Sequence, residues 1–183
     1  MIITISGTPG SGKSTVAKIL AKKLKLKHYS SGDFMREMAK KRGVTLEELG
    51  NLAKKDPSID KALDERQIQL GKKEDNFIID GRLSFHFIPH SIKIFIDVDL
   101  KEGARRILND INSGLRKEEQ AKNIQEIVQK TLARKKSETE RYQKYYHLDP
   151  SQKSHYDFVI DSTNNTADKV AEKIIKFIKG SHN

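Results

Sequence analysis

Lys13 and Ser14 close the run Gly7-Thr8-Pro9-Gly10-Ser11-Gly12-Lys13-Ser14-Thr15, in which Gly7 to Ser14 fits G-x-x-x-x-G-K-[ST]. Residue types at this spacing suit one kind of chemistry. Glycines let backbone N–H groups converge on phosphate oxygens without Cβ clashes, and a helix opening at Lys13 adds the positive end of its dipole. Lys13 is expected to bridge the β- and γ-phosphates of a nucleoside triphosphate, and the Ser14 hydroxyl to ligate Mg²⁺. All of residues 7–15 are therefore candidates for ATP contact.

Two arginines suggest a second phosphate. Arg36 follows Ser31-Gly32-Asp33 at the start of an expected helix, and Arg82 follows Asp80-Gly81 at the end of an expected strand. Guanidinium forks at one sheet edge can hold a phosphate group bidentately. Singly, each reads as a surface ion-pair residue; following successive strands of a phosphate-loop fold, they read as a pair.

These residues need elements to position them. Ile2 to Ser6 is a short β-branched run, and Val16, Ala17, Leu20 and Leu24 repeat at helical spacing after the loop. Short apolar runs ending in a carboxylate recur at Asn76–Asp80, Ile92–Asp97 and Asp157–Asp161, as suits buried parallel strands. Lys27 to Ser30 reads as a further strand. Helices are expected from Ser31 to Arg42, from the capping box Thr45–Glu48, and from Asp56-Pro57 to Gly71 with Ile59, Ala62, Leu63, Ile68 and Leu70 as apolar positions. Others are expected over Glu102–Ile111, over Lys117–Tyr146 in two pieces, and over Thr166–Ile178. Strands alternating with helices predict a three-layer α/β/α fold, its parallel sheet covered on both faces and its ligands at the carboxyl edge. Gly7, Asp80, Asp97 and Asp161 all fall on that edge.

Composition narrows the classes. The 183 residues hold 35 Lys and Arg against 25 Asp and Glu, a net charge of +10, and no Cys. Without Cys there is no disulfide framework or thiolate metal site, which suits a reducing cytoplasm. No run approaches a membrane span, and there is no basic leader. Lysines are spread over the helices without interleaved aromatics, so small anionic ligands are expected rather than nucleic acid. The histidines show no metal-binding spacing and read as surface or capping residues. Tyr142, Tyr145 and Tyr146 read as helix packing. An Asn-Lys-x-Asp guanine reader, a D-x-x-G switch and a Leu-Ser-Gly-Gly signature are all absent from the sequence. A small kinase, or an ATPase acting on a larger partner, remains.

The ordered set resembles nucleoside monophosphate kinases, and most closely cytidylate kinases of the short archaeal type. It comprises the phosphate loop, Ser31-Gly32-Asp33…Arg36, Leu63-Asp64-Glu65-Arg66-Gln67, Asp80-Gly81-Arg82, Lys93–Asp97, Arg105-Arg106, Arg134 with Arg141, and Asp161-Ser162-Thr163. The resemblance spans almost the whole chain. It implies a five-stranded core (1–29, 73–106 and 142–183), a helical monophosphate-binding segment (30–72) and a lid (107–141). It implies ATP and CMP or dCMP as substrates, Mg²⁺ as cofactor and a monomeric protein. Arg36 and Arg82 would hold the acceptor phosphate, and Ser31 and Asp33 would contact the acceptor beside them. Arg134 and Arg141 would meet the transferring phosphoryl group, Glu138 the acceptor sugar, and Asp80 the metal through water. Lys13, Arg82, Arg134 and Arg141 form the implied catalytic set.

Departures from the pattern fall around the base. Leu83 stands where bacterial relatives have Asp, and Asn51 and Asp60 stand where they offer Ser and Arg. A carboxylate such as Asp60 can accept from the cytosine amino group, which favours CMP over UMP. The competing readings are an ordinary helix Asn and an Asp stabilising a helix dipole. The alternatives in function are a related kinase for AMP, UMP or a non-nucleotide alcohol, with Asp33 as its base, or an adenylate-kinase-like ATPase of ribosome or RNA assembly.

Overall fold

The computed structural model describes residues 1–116 and 120–180. In chain order the elements are β1 (Ile2–Gly7), α1 (Lys13–Leu24), β2 (Lys27–Ser30), α2 (Ser31–Arg42), α3 (Leu46–Ala53), α4 (Pro57–Lys73) and β3 (Phe77–Asp80). There follow α5 (Ser84–Phe87), β4 (Ile92–Asp97), α6 (Leu100–Asn112), α7 (Ile124–Tyr146), a 3₁₀ turn at Lys153–His155, β5 (Phe158–Asp161) and α8 (Ala167–Gly180). The strands form one parallel sheet in the order β2-β3-β1-β4-β5.

Side-chain alternation along β1 and β3 builds both hydrophobic layers. Ile3, Ile5 and Ile78, with Ile94 and Ile96 of β4, pack on Val16 and Leu20 of α1 and on Val170 and Ile174 of α8. Ile2, Phe77 and Ile79 face the other way, onto Phe34 of α2, Ile88, and Leu63 and Leu70 of α4. Burying each such side chain contributes about 1.5–3 kcal/mol. Thr4 and Ser6 interrupt the apolar pattern of β1 while buried, and each is satisfied. Thr4 Oγ1 meets Ser91 Oγ at 2.9 Å, and Ser6 Oγ donates to the Gly81 carbonyl at 2.8 Å. The second bond ties β1 to the Asp80-Gly81-Arg82 corner.

Local chemistry ends the helices where expected. Gly43 takes φ 67° at the C-cap of α2, Thr45 and Glu48 complete the capping box of α3, and Asp56 caps α4 with Pro57 in its first turn. Two expectations need correction. Helix α4 runs on to Lys73 and buries Ile59 with two polar residues, Asp60 and Gln67, while Ala62 is exposed. Its inner face is set by partners: Gln67 accepts from Ser84 at 2.7 Å, and Asp60 meets Arg141. The expected two-piece helix over Lys117–Tyr146 is instead one 23-residue helix beginning at Ile124; residues 117–119 lie outside the described residues. Asn123 caps it by accepting from the Glu126 N–H, no Gly or Pro interrupts it, and Glu126–Lys130 and Arg134–Glu138 pair along its surface.

Helix α7 packs at both ends. Near its start Ile127 meets Ala104 and Ile107 of α6; near its end Tyr142 packs on Leu83 and Phe85 of the α5 corner, with Tyr146 beside it. The polar middle of α7 thereby spans the carboxyl edge of the sheet.

Candidate active site

The loop between β1 and α1 is shaped by contacts that only glycine permits. Gly10 sits at φ 77°, and a Cβ there would come within 2.2 Å of the Gly103 carbonyl oxygen of α6; one on Gly7 would come equally close to the Ile96 carbonyl. Gly12 opens α1 in the left-handed region without a side-chain cap, so the first N–H groups of α1 are left to the loop and to any ligand there. Thr8 Oγ1 donates to Asp97 Oδ1 at 2.6 Å, and Lys153 Nζ meets the other oxygen of Asp97 at 2.7 Å. The loop is thus anchored to the end of β4, and through Lys153 to the segment after α7. Of the remaining loop residues, Pro9 is half-buried, Ser11 is buried and Thr15 is exposed.

Lys13 begins α1 in a crowd of charge. Burial first, then the Arg82, Arg134 and Arg116 charges, push its amine down to about 8, against the pull of Asp80. Ser14 Oγ donates to Asp80 Oδ2 at 2.7 Å, and Ser30 Oγ donates to the same oxygen at 3.2 Å. His28 Nε2 bonds Asp80 Oδ1 at 2.7 Å. Burial would raise the Asp80 carboxyl, but the His28 and Ser14 hydrogen bonds and the Lys13 charge outweigh it and hold the group below the usual carboxylate range. The pair thus presents a hydroxyl and a buried, ionised carboxylate, both hard oxygen donors. Among the described residues no group of three His, Cys, Asp or Glu could itself hold a metal ion. Few protein oxygens suit a cation that keeps its own waters and leans on substrate phosphates, as Mg²⁺ does.

The arginines are held by carboxylates of the same region. Arg82 Nε lies 2.5 Å from Glu138 Oε2, and Arg134 Nε lies 2.9 Å from Glu138 Oε1. Burial opposes ionisation of Glu138, but Arg82 and Arg134 together hold its carboxyl low. Gly7, Thr8, Pro9, Arg82, Lys135 and Glu138 line a cleft between the loop and α7. One turn beyond Glu138, Arg141 turns instead to Asp60 of α4, Nε to Oδ2 3.1 Å, both well covered. Asp64, a turn along α4, accepts from the Tyr146 hydroxyl, and burial pushes its carboxyl up to about 6 despite that bond.

Among the other expected acceptor residues, Arg36 and Asp33 pair with each other at 2.5 Å and are both exposed. Ser31 packs against Gly81, where an added Cβ would fall 2.4 Å from its hydroxyl. Asn51 is exposed and accepts from Lys54 of its own turn. The structure therefore brings Lys13, Ser14, Asp80, Arg82, Arg134 and Glu138 together, sets Arg141 with Asp60 beside α4, and leaves Arg36, Asp33 and Asn51 in local pairs.

Two histidines depart from the surface or capping role expected of them. His28 is largely covered and bonded to Asp80, and His155 stacks on Phe85 at 5.5 Å. Arg116, among the charges around Lys13, and the Asp64–Tyr146 contact also went unanticipated. His28 did carry a signal: it lies two residues before Ser30, on the same strand face. The contact depends on β2 lying beside β3, which spacing along the chain does not state.

Comparison with known proteins gives the family of the chain. The sequence model described as the cytidylate kinase-like family matches residues 2–164. The chain is 41% identical over 178 residues to a cytidylate kinase of Methanocella arvoryzae, covering 97% of each, and 38% identical over 180 residues to one of Archaeoglobus fulgidus, covering 98% of this chain and 95% of that one. Its fold matches that of shikimate kinase from Bacteroides thetaiotaomicron with a TM-score of 0.64 at 14% identity, covering 98% of each chain. The phosphate loop, its serine-bonded carboxylate and the arginine-lined cleft thus stand in a chain that belongs to the cytidylate kinase-like family.

Proposed function

We propose that the protein transfers the γ-phosphoryl group of ATP to CMP, and to dCMP, giving ADP and the diphosphate. The convergence of Lys13, Arg82, Arg116 and Arg134 on the phosphate-loop edge of the sheet carries this conclusion. It assembles positive charge where two polyanions must approach. ATP would lie on residues 7–15, its phosphates against the loop N–H groups and Lys13. Ser14 and Asp80 would serve the magnesium of Mg·ATP, Asp80 through water; bound there, the ion supplies charge neutralisation at the phosphates.

The acceptor would use Arg82 and Arg36 for its phosphate, with Ser31 and Asp33 among its other contacts. Asp60 and Asn51 would read its base, and Glu138 its sugar. Asp60, held 3.1 Å from Arg141, would accept from the exocyclic amino group of cytosine, where uracil carries a carbonyl that cannot donate. The monophosphate oxygen is already anionic near neutral pH, so no general base is required. Lys13, Arg82, Arg134 and Arg141 would accelerate transfer by positioning and by neutralising charge spread over the phosphoryl oxygens. Residues 107–141 would close over both nucleotides and exclude water, which would otherwise accept the phosphoryl group. Among the described residues no helix is long and apolar enough to cross a membrane; we place the protein in the cytoplasm as a monomer.

The test is coupled ADP release from Mg·ATP with CMP, dCMP, UMP and AMP in turn, and with RNA. CMP should give the highest kcat/KM. Faster turnover of UMP or AMP would overturn the base assignment, and stimulation by RNA alone would overturn the acceptor class.

A further inference from the structure

His28 and Ser30 both bond Asp80, and neither loop nor arginine chemistry assigns His28 a part. Strand β2 lies at the edge of the sheet and pairs in parallel with β3, with His28 opposite Ile78 and Ser30 opposite Asp80. The two-residue repeat puts His28 and Ser30 on the face of β2 shared with Asp80. The short Ser30 hydroxyl reaches Oδ2 at 3.2 Å, and the longer imidazole, one pleat back, reaches Oδ1 at 2.7 Å. The His28 side chain keeps 16% of its exposure and that of Asp80 keeps 4%, so both partners of this bond are largely withdrawn from solvent. A carboxylate oxygen accepts, so Nε2 is placed to donate in this bond.

We propose that His28 is a positioning residue for phosphoryl transfer: its Nε2–H fixes Asp80 Oδ1 and so turns Oδ2 toward Ser14 and the metal of Mg·ATP. The proposal rests on the assignment of Ser14 and Asp80 to that metal. A carboxylate with two competent oxygens can swing about its Cβ–Cγ bond, and a swung Asp80 would no longer present one oxygen beside Ser14. The three hydrogen bonds divide the work. Ser14 and Ser30 both use Oδ2, so Oδ1 is fixed by His28 among these three. Partners of this kind orient metal-binding groups without touching the metal.

The experiment compares wild type with His28→Leu, which removes the donor, and His28→Gln, which supplies an amide N–H. ADP affinity is measured calorimetrically in EDTA and again at saturating magnesium, beside the thermal unfolding midpoint, kcat and the KM for CMP. In wild type, magnesium should tighten ADP binding. His28→Leu should lose that metal-dependent gain by roughly tenfold, as removal of orienting partners does elsewhere. Its affinity in EDTA, its unfolding midpoint and its KM for CMP should hold while kcat falls; His28→Gln should recover most of the gain. If leucine fails to fold there, His28→Thr suits an edge strand and is too short to reach Oδ1. Full retention of the metal-dependent gain in the donor-less variant overturns the proposal, as does equal loss in EDTA and in magnesium, which marks a merely structural role. If wild type itself shows no gain from magnesium, the metal assignment of Ser14 and Asp80 fails, and the proposal with it.

Discussion

The phosphate loop and the arginine side of the cleft handle charge in opposite ways. Around the loop the positive potential comes from backbone N–H groups, a helix end and a Lys13 amine pushed down to about 8. Across the cleft the cations are already paired, Arg82 and Arg134 sharing Glu138; outside it Arg141 holds Asp60 and Arg36 holds Asp33. In the proposed reaction the first side would gain an anion that relieves repulsion. The second would exchange one anion for another. A site that kept every cation bare would be costly to fold, and one that paired them all would bind phosphate weakly; this molecule divides the two solutions between its halves.

The loop side gives the largest expected effect. Lys13→Met should lower kcat on the order of 10³-fold, as loss of a preorganised charge does. The same substitution should leave the unfolding midpoint at pH 7 unchanged or higher. The folded state depresses the Lys13 pKa, so below about pH 8 folding carries a cost for that charge, fading as pH rises toward the unfolded value. Calorimetry beside single-turnover assays checks both halves; a clear drop in midpoint would mean Lys13 is held by structure rather than strained by it.

On the arginine side, Glu138→Gln should remove the shared carboxylate while keeping its volume. Breaking a covered pair costs about 3 kcal/mol. Sulfate should restore part of that loss by binding the released arginines, and should stabilise the variant more than wild type. Thermal melts across a sulfate series would show it. Equal stabilisation of both proteins would mean that Glu138 is not the group a phosphate must replace.

The smallest effect tests the far end of the same side. Burial raises the Asp64 carboxyl to about 6, so the folded state holds a proton there more tightly than the unfolded chain does. Ionised Asp64 therefore costs stability above pH 6, and the cost disappears as pH falls toward 4. Asp64→Asn can still accept from Tyr146, so it should stabilise the protein at pH 7 by about 1 kcal/mol after solvent screening. The gain should vanish near pH 4. A gain independent of pH would place its origin in packing.

The sheet and its edge were legible because their signals are local. The β-branched runs ending at Gly7, Asp80, Asp97 and Asp161, the glycine spacing, the Thr45–Glu48 box and Asp56-Pro57 each act within a few residues. What was not legible depends on neighbours distant in sequence. His28 meets Asp80 because strand order places β2 against β3, and Asp60 is buried because α7 brings Arg141 to it. Even the apolar pattern of α4 misled, since Gln67 is drawn inward by Ser84 while Ala62 stays outside. Ion pairs follow the same rule. The Arg134–Glu138 pair lies within one helix face, whereas the Arg82–Glu138 pair joins the end of β3 to α7 and needs the assembled fold.

The contact between Gly10 and Gly103 has a mechanical consequence. A Cβ on Gly103 would fall 2.7 Å from the Pro9 carbonyl oxygen, so the first turn of α6 is seated against the phosphate loop without room for a methyl group. In the proposed closure that turn would act as a fulcrum. Any swing of the segment from residue 107 onward must pivot beyond Gly103, because tilting the helix about an earlier point would drive its backbone into the loop. Under the closure proposed for that segment, the lever would begin about one helical turn after the seat, and the loop would stay still while its cover moved.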